Sequence, residues 1–196
     1  MNAARSRPQA HTPKISVIMA GHNCAPFVTQ ALRSIMRQTL QDVEIIFVDD
    51  GSTDDTLQIV EQHASKDNRI RVSSRENRGL PATLNEMIAE ARAPWVARMD
   101  ADDIALPNRL ASQLAWAEKH SLDVCGGWTS TLGALSWRTR RYPVSDDAIK
   151  LLLCFRTAFS HPTVIMRTEL ARRIPYNPQL KRAQDYDLWT RLAIEG

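Results

Sequence analysis

The chain has 196 residues, 43% hydrophobic and 24% charged side chains, and a formal charge of +3, which suits one globular domain able to bury a core without disulfides or a structural metal. Its three cysteines, Cys24, Cys125 and Cys154, are odd in number and widely spaced, arguing against a disulfide framework or a zinc site and for a reducing cytosol. Pro8, Gln9, His11 and Pro13 stand where a secretory signal would be apolar, and no stretch approaches the roughly 20 apolar residues of a membrane span.

Residues 1–13 read as a disordered arm, polar and without periodicity, and residues 14–196 as one domain. From Lys14, short β-branched runs alternate with helical patterns, the signature of a mostly parallel sheet covered by helices. Ile15–Met19 is the first strand. Pro26 opens a helix with Val28, Ala31, Leu32, Ile35 and Met36 on one face. Val43–Val48 is apolar after Glu44, as a buried parallel strand should be, and leads into the turn Asp49-Asp50-Gly51-Ser52-Thr53-Asp54, where Ser52 or Thr53 can cap the next helix. That helix carries Leu57, Ile59 and Val60, and Arg69–Val72 makes a third strand. A helix over Gly79–Arg92 and a strand over Pro94–Met99 lead to Asp100-Ala101-Asp102-Asp103, and Pro107 starts a helix through Leu110, Leu114 and Trp116. Beyond Asp123 the pattern loosens: an apolar piece at Val124–Trp128, a helix over Asp146–Phe155, a strand over Thr163–Met166 and a final helix from Asp185.

Charge is distributed unevenly along the chain. Residues 15–133 hold 11 basic and 16 acidic side chains, whereas 134–182 hold 10 basic and 3 acidic ones, so −5 is followed by +7. The basic stretch, with Arg138, Arg140, Arg141, Arg172, Arg173 and Arg182, can face anionic lipid, an anionic acceptor, or solvent alone.

Three acidic segments could carry chemistry. In extended backbone, residues two apart share a side, so Asp100 and Asp102 converge, and two like charges there call for a hard cation such as Mg²⁺ or Mn²⁺, whose shell commonly includes substrate phosphates. The competing reading is an acidic loop with Asp103 capping a helix. Asp49 and Asp50 end a strand where open α/β sheets place ligands, and a carboxylate there could accept a base N–H; such turns also arise for folding reasons alone. Gln184-Asp185-Tyr186-Asp187-Leu188-Trp189 opens a helix whose dipole favours acids in any case. His161, before Pro162, and Trp128, Trp137 and Trp189 could be packing residues or, for the tryptophans, sugar-stacking surfaces.

In this order the segments resemble the family 2 glycosyltransferases. The likeness rests on Ser16-Val17-Ile18-Met19 before an Asn23 turn, Ser34-Ile35-Met36-Arg37-Gln38-Thr39, Val48-Asp49-Asp50-Gly51-Ser52-Thr53-Asp54, Asn77-Arg78-Gly79-Leu80, Met99-Asp100-Ala101-Asp102-Asp103, Ser160-His161-Pro162-Thr163-Val164 and Gln184-Asp185-Tyr186-Asp187-Leu188-Trp189. It implies an α/β fold of the GT-A type, a mostly parallel sheet flanked by helices. A Rossmann-like nucleotide-sugar half would span about 14–103 and an acceptor half about 104–196, in a catalytic domain truncated at its C-terminus. By position, the resemblance implies that Ala20, His22, Asp50, Arg78 and Asp100 bind nucleotide, that Asp102 and His161 serve a Mn²⁺ or Mg²⁺ ion, and that Asp185 is the base. Two departures stand out: Ala20-Gly21-His22-Asn23 replaces a Pro-Thr-Tyr-Asn turn, and Gln184 replaces an acid before the base.

The implied activity is metal-dependent, inverting transfer of a sugar, from a UDP-sugar by preference, to a saccharide or lipid-linked saccharide acceptor in surface polysaccharide or glycolipid synthesis. The enzyme would lie in the cytoplasm, peripheral on the inner membrane face, with no nucleic-acid partner. Rival readings are a catalytically silent sugar-nucleotide-binding domain and a receiver-like signalling module. A nicotinamide dehydrogenase is disfavoured because no glycine-rich dinucleotide turn follows the first strand.

Overall fold

The structure is a computed structural model and describes residues 11–131 and 138–195. Four parallel strands form its centre: β1 (Ile15–Gly21), β2 (Val43–Asp49), β3 (Ile70–Ser74) and β4 (Trp95–Asp100). The helices α1 (Ala25–Met36), α2 (Thr56–Ala64) and α3 (Leu80–Glu90) connect them, and α4 (Arg109–Lys119) follows β4. The chain continues through β5 (Val124–Cys125), β6 (Thr129–Thr131), β7 (Arg138–Arg140) and α5 (Asp146–Leu153) to a 3₁₀ turn at His161–Thr163. Last come β8 (Ile165–Arg167), α6 (Thr168–Arg173) and α7 (Gln184–Glu195). The main sheet has the order β3-β2-β1-β4-β8-β5, and β6 and β7 pair separately.

Alternation along β1 assigns each face its core. Ile15, Val17 and Met19 point to one side, where Val28, Leu32 and Ile35 of α1, Val60 of α2 and Leu110 and Leu114 of α4 pack on them. Ile18 points to the other, joining Leu84, Met87 and Ile88 of α3 and Leu188 and Trp189 of α7. Covered on both faces, β2 is buried from end to end, Glu44 included. That acid is satisfied: Ser16 Oγ donates at 2.6 Å, the Arg92 main-chain N–H at 2.7 Å and its Nε–H at 2.8 Å, and Arg71 Nη1–H at 3.2 Å. Burial alone would raise its pKa, but these donors hold it below the ordinary value of 4.5.

The C-terminal region departs most from the sequence reading. The strand expected over Thr163–Met166 is displaced to Ile165–Arg167, because the chain through His161–Thr163 first makes a 3₁₀ turn. β8 runs antiparallel to β4 (Trp95↔Arg167, Ala97↔Ile165), which no receiver-like parallel sheet contains, and the antiparallel run brings its leading turn to the C-terminal end of β4. The β6–β7 pair and α6 lie in the segment that carried no clear periodicity. Arg172, counted among the basic surface, spends its guanidinium on the last carbonyls of α3, reaching Ile88 O at 3.2 Å and Ala91 O at 2.6 Å. Within the segment read as an arm, Pro13 is buried and His11 Nε2 lies 2.7 Å from Asp42 Oδ1. Residues 1–10, Trp137 and Gly196 lie outside the described residues.

Candidate active site

Strand register sets out the first wall. Ala20 pairs with Val48 on one side and Asp100 on the other, Gly21 pairs with Asp49, and Asp49 pairs with Ser74. The C-terminal ends of β1, β2 and β4 therefore line up Ala20, Asp49 and Asp100 along one edge, where ligands of open α/β sheets bind.

The turn after β2 is knitted to the turn after β1. Asn23 takes a positive φ of 51°; its N–H donates to Ser52 Oγ at 2.9 Å and its Oδ1 accepts the Thr53 N–H at 2.8 Å. Ser52 and Thr53 thus bind the neighbouring turn and do not cap α2, whose first-turn residue Thr56 instead donates its N–H to Asp54 Oδ1 at 3.0 Å. Gly51 sits at φ +77°, and a Cβ there would come within 2.8 Å of the Asn77 nitrogen, so the turn presses against the loop before α3.

Asp50, 5% exposed, holds that loop. Its carboxylate accepts the main-chain N–H groups of Arg78 at 2.9 Å and Gly79 at 3.0 Å, and Arg75 Nη1–H. Burial pushes its pKa up, yet these donors win and the group stays below its ordinary 3.8. A carboxylate offers about four acceptor sites; with three taken, one remains for a ligand N–H. Exposed His22 places Nδ1 3.0 Å from the Asp50 carbonyl oxygen and takes the Asn23 amide on Nε2 at 3.4 Å. The side chain of Arg78 is exposed and Ala20 half-buried. By contrast, Asp49 is structural, accepting from Ser74 Oγ at 2.8 Å and the Ser52 N–H at 3.3 Å.

The acidic turn follows β4. Asp100 is half-buried and ion-paired with buried Arg98, while Asp102 and Asp103 are exposed. Asp103 does not cap α4, whose cap residue is Asn108, without a side-chain bond. Its pKa is raised, first by desolvation and then by the charges of Asp100 and Asp102. The donor set suits a hard cation: oxygen ligands, concentrated negative charge and an open face. Among the described residues no group of three His, Cys, Asp or Glu side chains could hold an ion unaided, so Mg²⁺ or Mn²⁺ would need water and phosphate oxygens to complete its shell.

A third group closes the edge. His161, 9% exposed, meets the Tyr176 hydroxyl through Nε2 at 2.8 Å and lies edge-on to Trp189 with ring centroids 6.0 Å apart. Burial, then the charge of Arg98, pushes its pKa down to about 2, so the imidazole is neutral; a metal contact from His161 would have to use Nδ1. Tyr176 is clamped by Asn85, which accepts its N–H at 2.9 Å and donates to its carbonyl at 2.8 Å. Its buried hydroxyl resists ionisation mainly through desolvation, against the opposing charge of Arg98 and with smaller contributions from Asp185 and Asp100. His161 thus joins the Tyr176 hydroxyl to Trp189 of α7. Half-buried Asp185 is one helical turn before Trp189, which packs against Phe159 at 5.2 Å.

Residues 16–176 match the family described as Glycosyl transferase family 2. The chain belongs to this family. Among curated relatives, the O-antigen biosynthesis glycosyltransferase WbnJ of Escherichia coli is 30% identical over 186 residues, covering 92% of this chain and 72% of WbnJ. Among solved structures, S. aureus TarS 1-349 in complex with UDP is 29% identical, with a TM-score of 0.74 over 90% of this chain. This glycosyltransferase chain spans 54% of that TarS fragment. The fold is also that of the mannosyltransferase PcManGT from Pyrobaculum calidifontis, solved in complex with GDP-Man and Mn²⁺, at 22% identity and a TM-score of 0.73.

The family match ends before Asp185, so the position of that residue rests on α7 and its packing. Sequence reasoning passed over Arg75, Arg98 and Tyr176. For Arg98 a signal existed: a charged residue inside the otherwise apolar run Trp95–Met99, two residues before Asp100.

Proposed function

We propose that this glycosyltransferase moves a sugar from a nucleoside-diphosphate donor, UDP-linked by preference, to a hydroxyl of a saccharide or lipid-linked saccharide, with inversion at the anomeric carbon. The observation that carries this reading is the packing of α7 near the end of β4: Trp189, one turn after Asp185, lies against His161, His161 meets the Tyr176 hydroxyl, and Tyr176 lines a cavity with Arg98, the ion-pair partner of Asp100. A nucleotide along the C-terminal edge of the sheet would put its base toward Asp50, His22 and the Arg78 loop and its ribose toward Asp100. Asp102, exposed beyond Asp100, would hold Mn²⁺ or Mg²⁺, with His161 behind it. When bound, such an ion offsets the charge that grows on the leaving diphosphate.

Asp185 takes the proton of the acceptor hydroxyl while its oxygen attacks the anomeric carbon from the face opposite the diphosphate; one bond forms as one breaks, and configuration inverts. The helix holding Asp185 is fixed by Trp189 against Phe159 and His161, which favours a preset base over a mobile one. The O-antigen role in the name of WbnJ supports a product among surface polysaccharides, and the TarS complex with UDP supports a UDP-sugar. The deciding experiment is a panel of UDP-, GDP- and dTDP-sugars with Mn²⁺ and the purified chain, read as nucleotide released with and without saccharide acceptors. Nucleotide binding without turnover of any donor would instead favour a silent binding domain.

A further inference from the structure

Arg98 lies 6% exposed at the centre of the sheet, where a cation is strongly unfavourable unless paired. Two residues before Asp100, it shares that residue's side of β4, and its Nη2 meets Asp100 Oδ1. Among the described residues Nε and Nη1 have no partner; with Tyr176, Ile88 and Met166, Arg98 lines a cavity of about 10 Å³. Asp100 is its one anionic contact among the described residues. A second guanidinium, that of half-buried Arg109, stands beside it: it donates through Nη2 to the Arg98 carbonyl at 2.7 Å and through Nε to Gln113 Oε1 at 3.0 Å. Two cations therefore underlie a turn that displays Asp100, Asp102 and Asp103.

We propose that Arg98 is a positioning residue for the donor site: a buried cation that fixes the Asp100 carboxylate and offsets its charge. In consequence the turn takes a divalent ion weakly by itself and firmly only alongside a nucleoside diphosphate. This rests on the donor-site reading above. The physical reason is electrostatic: with Arg98 in place, one of the three carboxylates is already compensated, so a dication gains less by arriving alone. A diphosphate supplies the missing negative charge and further oxygen ligands.

The test is thermal melting of the full chain against MnCl₂ alone and MnCl₂ with UDP, for the wild type, Arg98→Lys, Arg98→Met and Asp100→Asn. Mn²⁺ alone should raise the melting temperature of the wild type and Arg98→Lys slightly. Arg98→Met, with its three carboxylates less compensated, should bind Mn²⁺ alone at least about tenfold more tightly. A purely structural role would not distinguish Lys from Met in this way. Should Arg98→Met fail to fold, Asp100→Asn decides: it strands the buried cation and must melt below the wild type, while the double variant Arg98→Met with Asp100→Asn recovers. Equal Mn²⁺ responses in the wild type and Arg98→Met, or an Asp100→Asn protein as stable as the wild type, would overturn the proposal. A wild type indifferent to Mn²⁺ even with UDP sinks the metal role in the proposed function, whereas the Asp100→Asn melting point speaks to the hold of Arg98 alone.

Discussion

Asp185 and Asp102 are given different work, so their loss should be felt in different measurements. Positioned general bases typically contribute about 10² to 10⁴ in rate; Asp185→Asn should lower kcat by about that factor, with UDP affinity by calorimetry nearly unchanged. Equal losses in binding and turnover would show that Asp185 shapes the pocket instead. Asp102→Ala should remove the Mn²⁺-dependent part of UDP binding, and the same calorimetric affinity with and without Mn²⁺ is the expected result. An Asp102→Ala protein whose UDP binding still improves with Mn²⁺ would place the ion elsewhere. These two residues were readable because each stands in a short acidic motif. Asp50 was readable as an acid at a strand end, but not the three donors it already holds, since Arg75, Arg78 and Gly79 come to it from a loop beyond the next helix and strand.

Among elements, β2 and the turn that follows it can be tested apart from catalysis. Glu44 has a folded-state pKa below its ordinary 4.5, so its stabilisation is complete above 4.5 and drains away as pH falls through the lowered value. Glu44→Gln should therefore flatten the acid limb of the stability curve. It should also cost about 1–3 kcal/mol at neutral pH by weakening the bonds from Ser16, Arg92 and Arg71, measured by urea unfolding from pH 3 to 7. Gly51→Ala would set a Cβ 2.8 Å from the Asn77 nitrogen at a φ of +77° and lever the Arg75–Gly79 loop from Asp50. UDP binding should weaken while the melting temperature falls only modestly, a pattern that calorimetry and melting together would check. Periodicity exposed the long elements: α1 buries Val28, Ala31, Leu32 and Ile35, with Met36 only partly covered, and β2 is buried along its length. It marked a strand near β8 but neither its bounds nor its direction, because a run of three residues carries no direction; pairing with β4 supplies that.

Across the whole molecule, net charge leaves its own test. Arg138 and Arg140 are exposed on β7 and Arg141 lies 5.2 Å over the ring of half-exposed Trp128, and Gly127 ties the root of this β-pair to Thr163, through an N–H bond of 2.9 Å to its Oγ1. No helix among the described residues is long and apolar enough to cross a membrane. If this face meets anionic lipid, the chain should co-sediment with vesicles rich in phosphatidylglycerol. Reversing the three arginines to Glu should weaken that by about 1 kcal/mol per charge or more, and 0.5 M salt should abolish it. No sedimentation at low salt would leave the basic face to solvent or to an anionic acceptor.

The amino-acid order by itself determined the alternation of strands and helices, the apolar faces and the acidic strand ends, because each depends on neighbours within a few residues. Tertiary structure alone decided that β8 turns back antiparallel, that α7 packs Trp189 against His161 of the turn before β8, and that Arg98 is buried behind Asp100. Those outcomes depend on which surfaces meet across the sheet, a matter of packing between residues far apart in the chain.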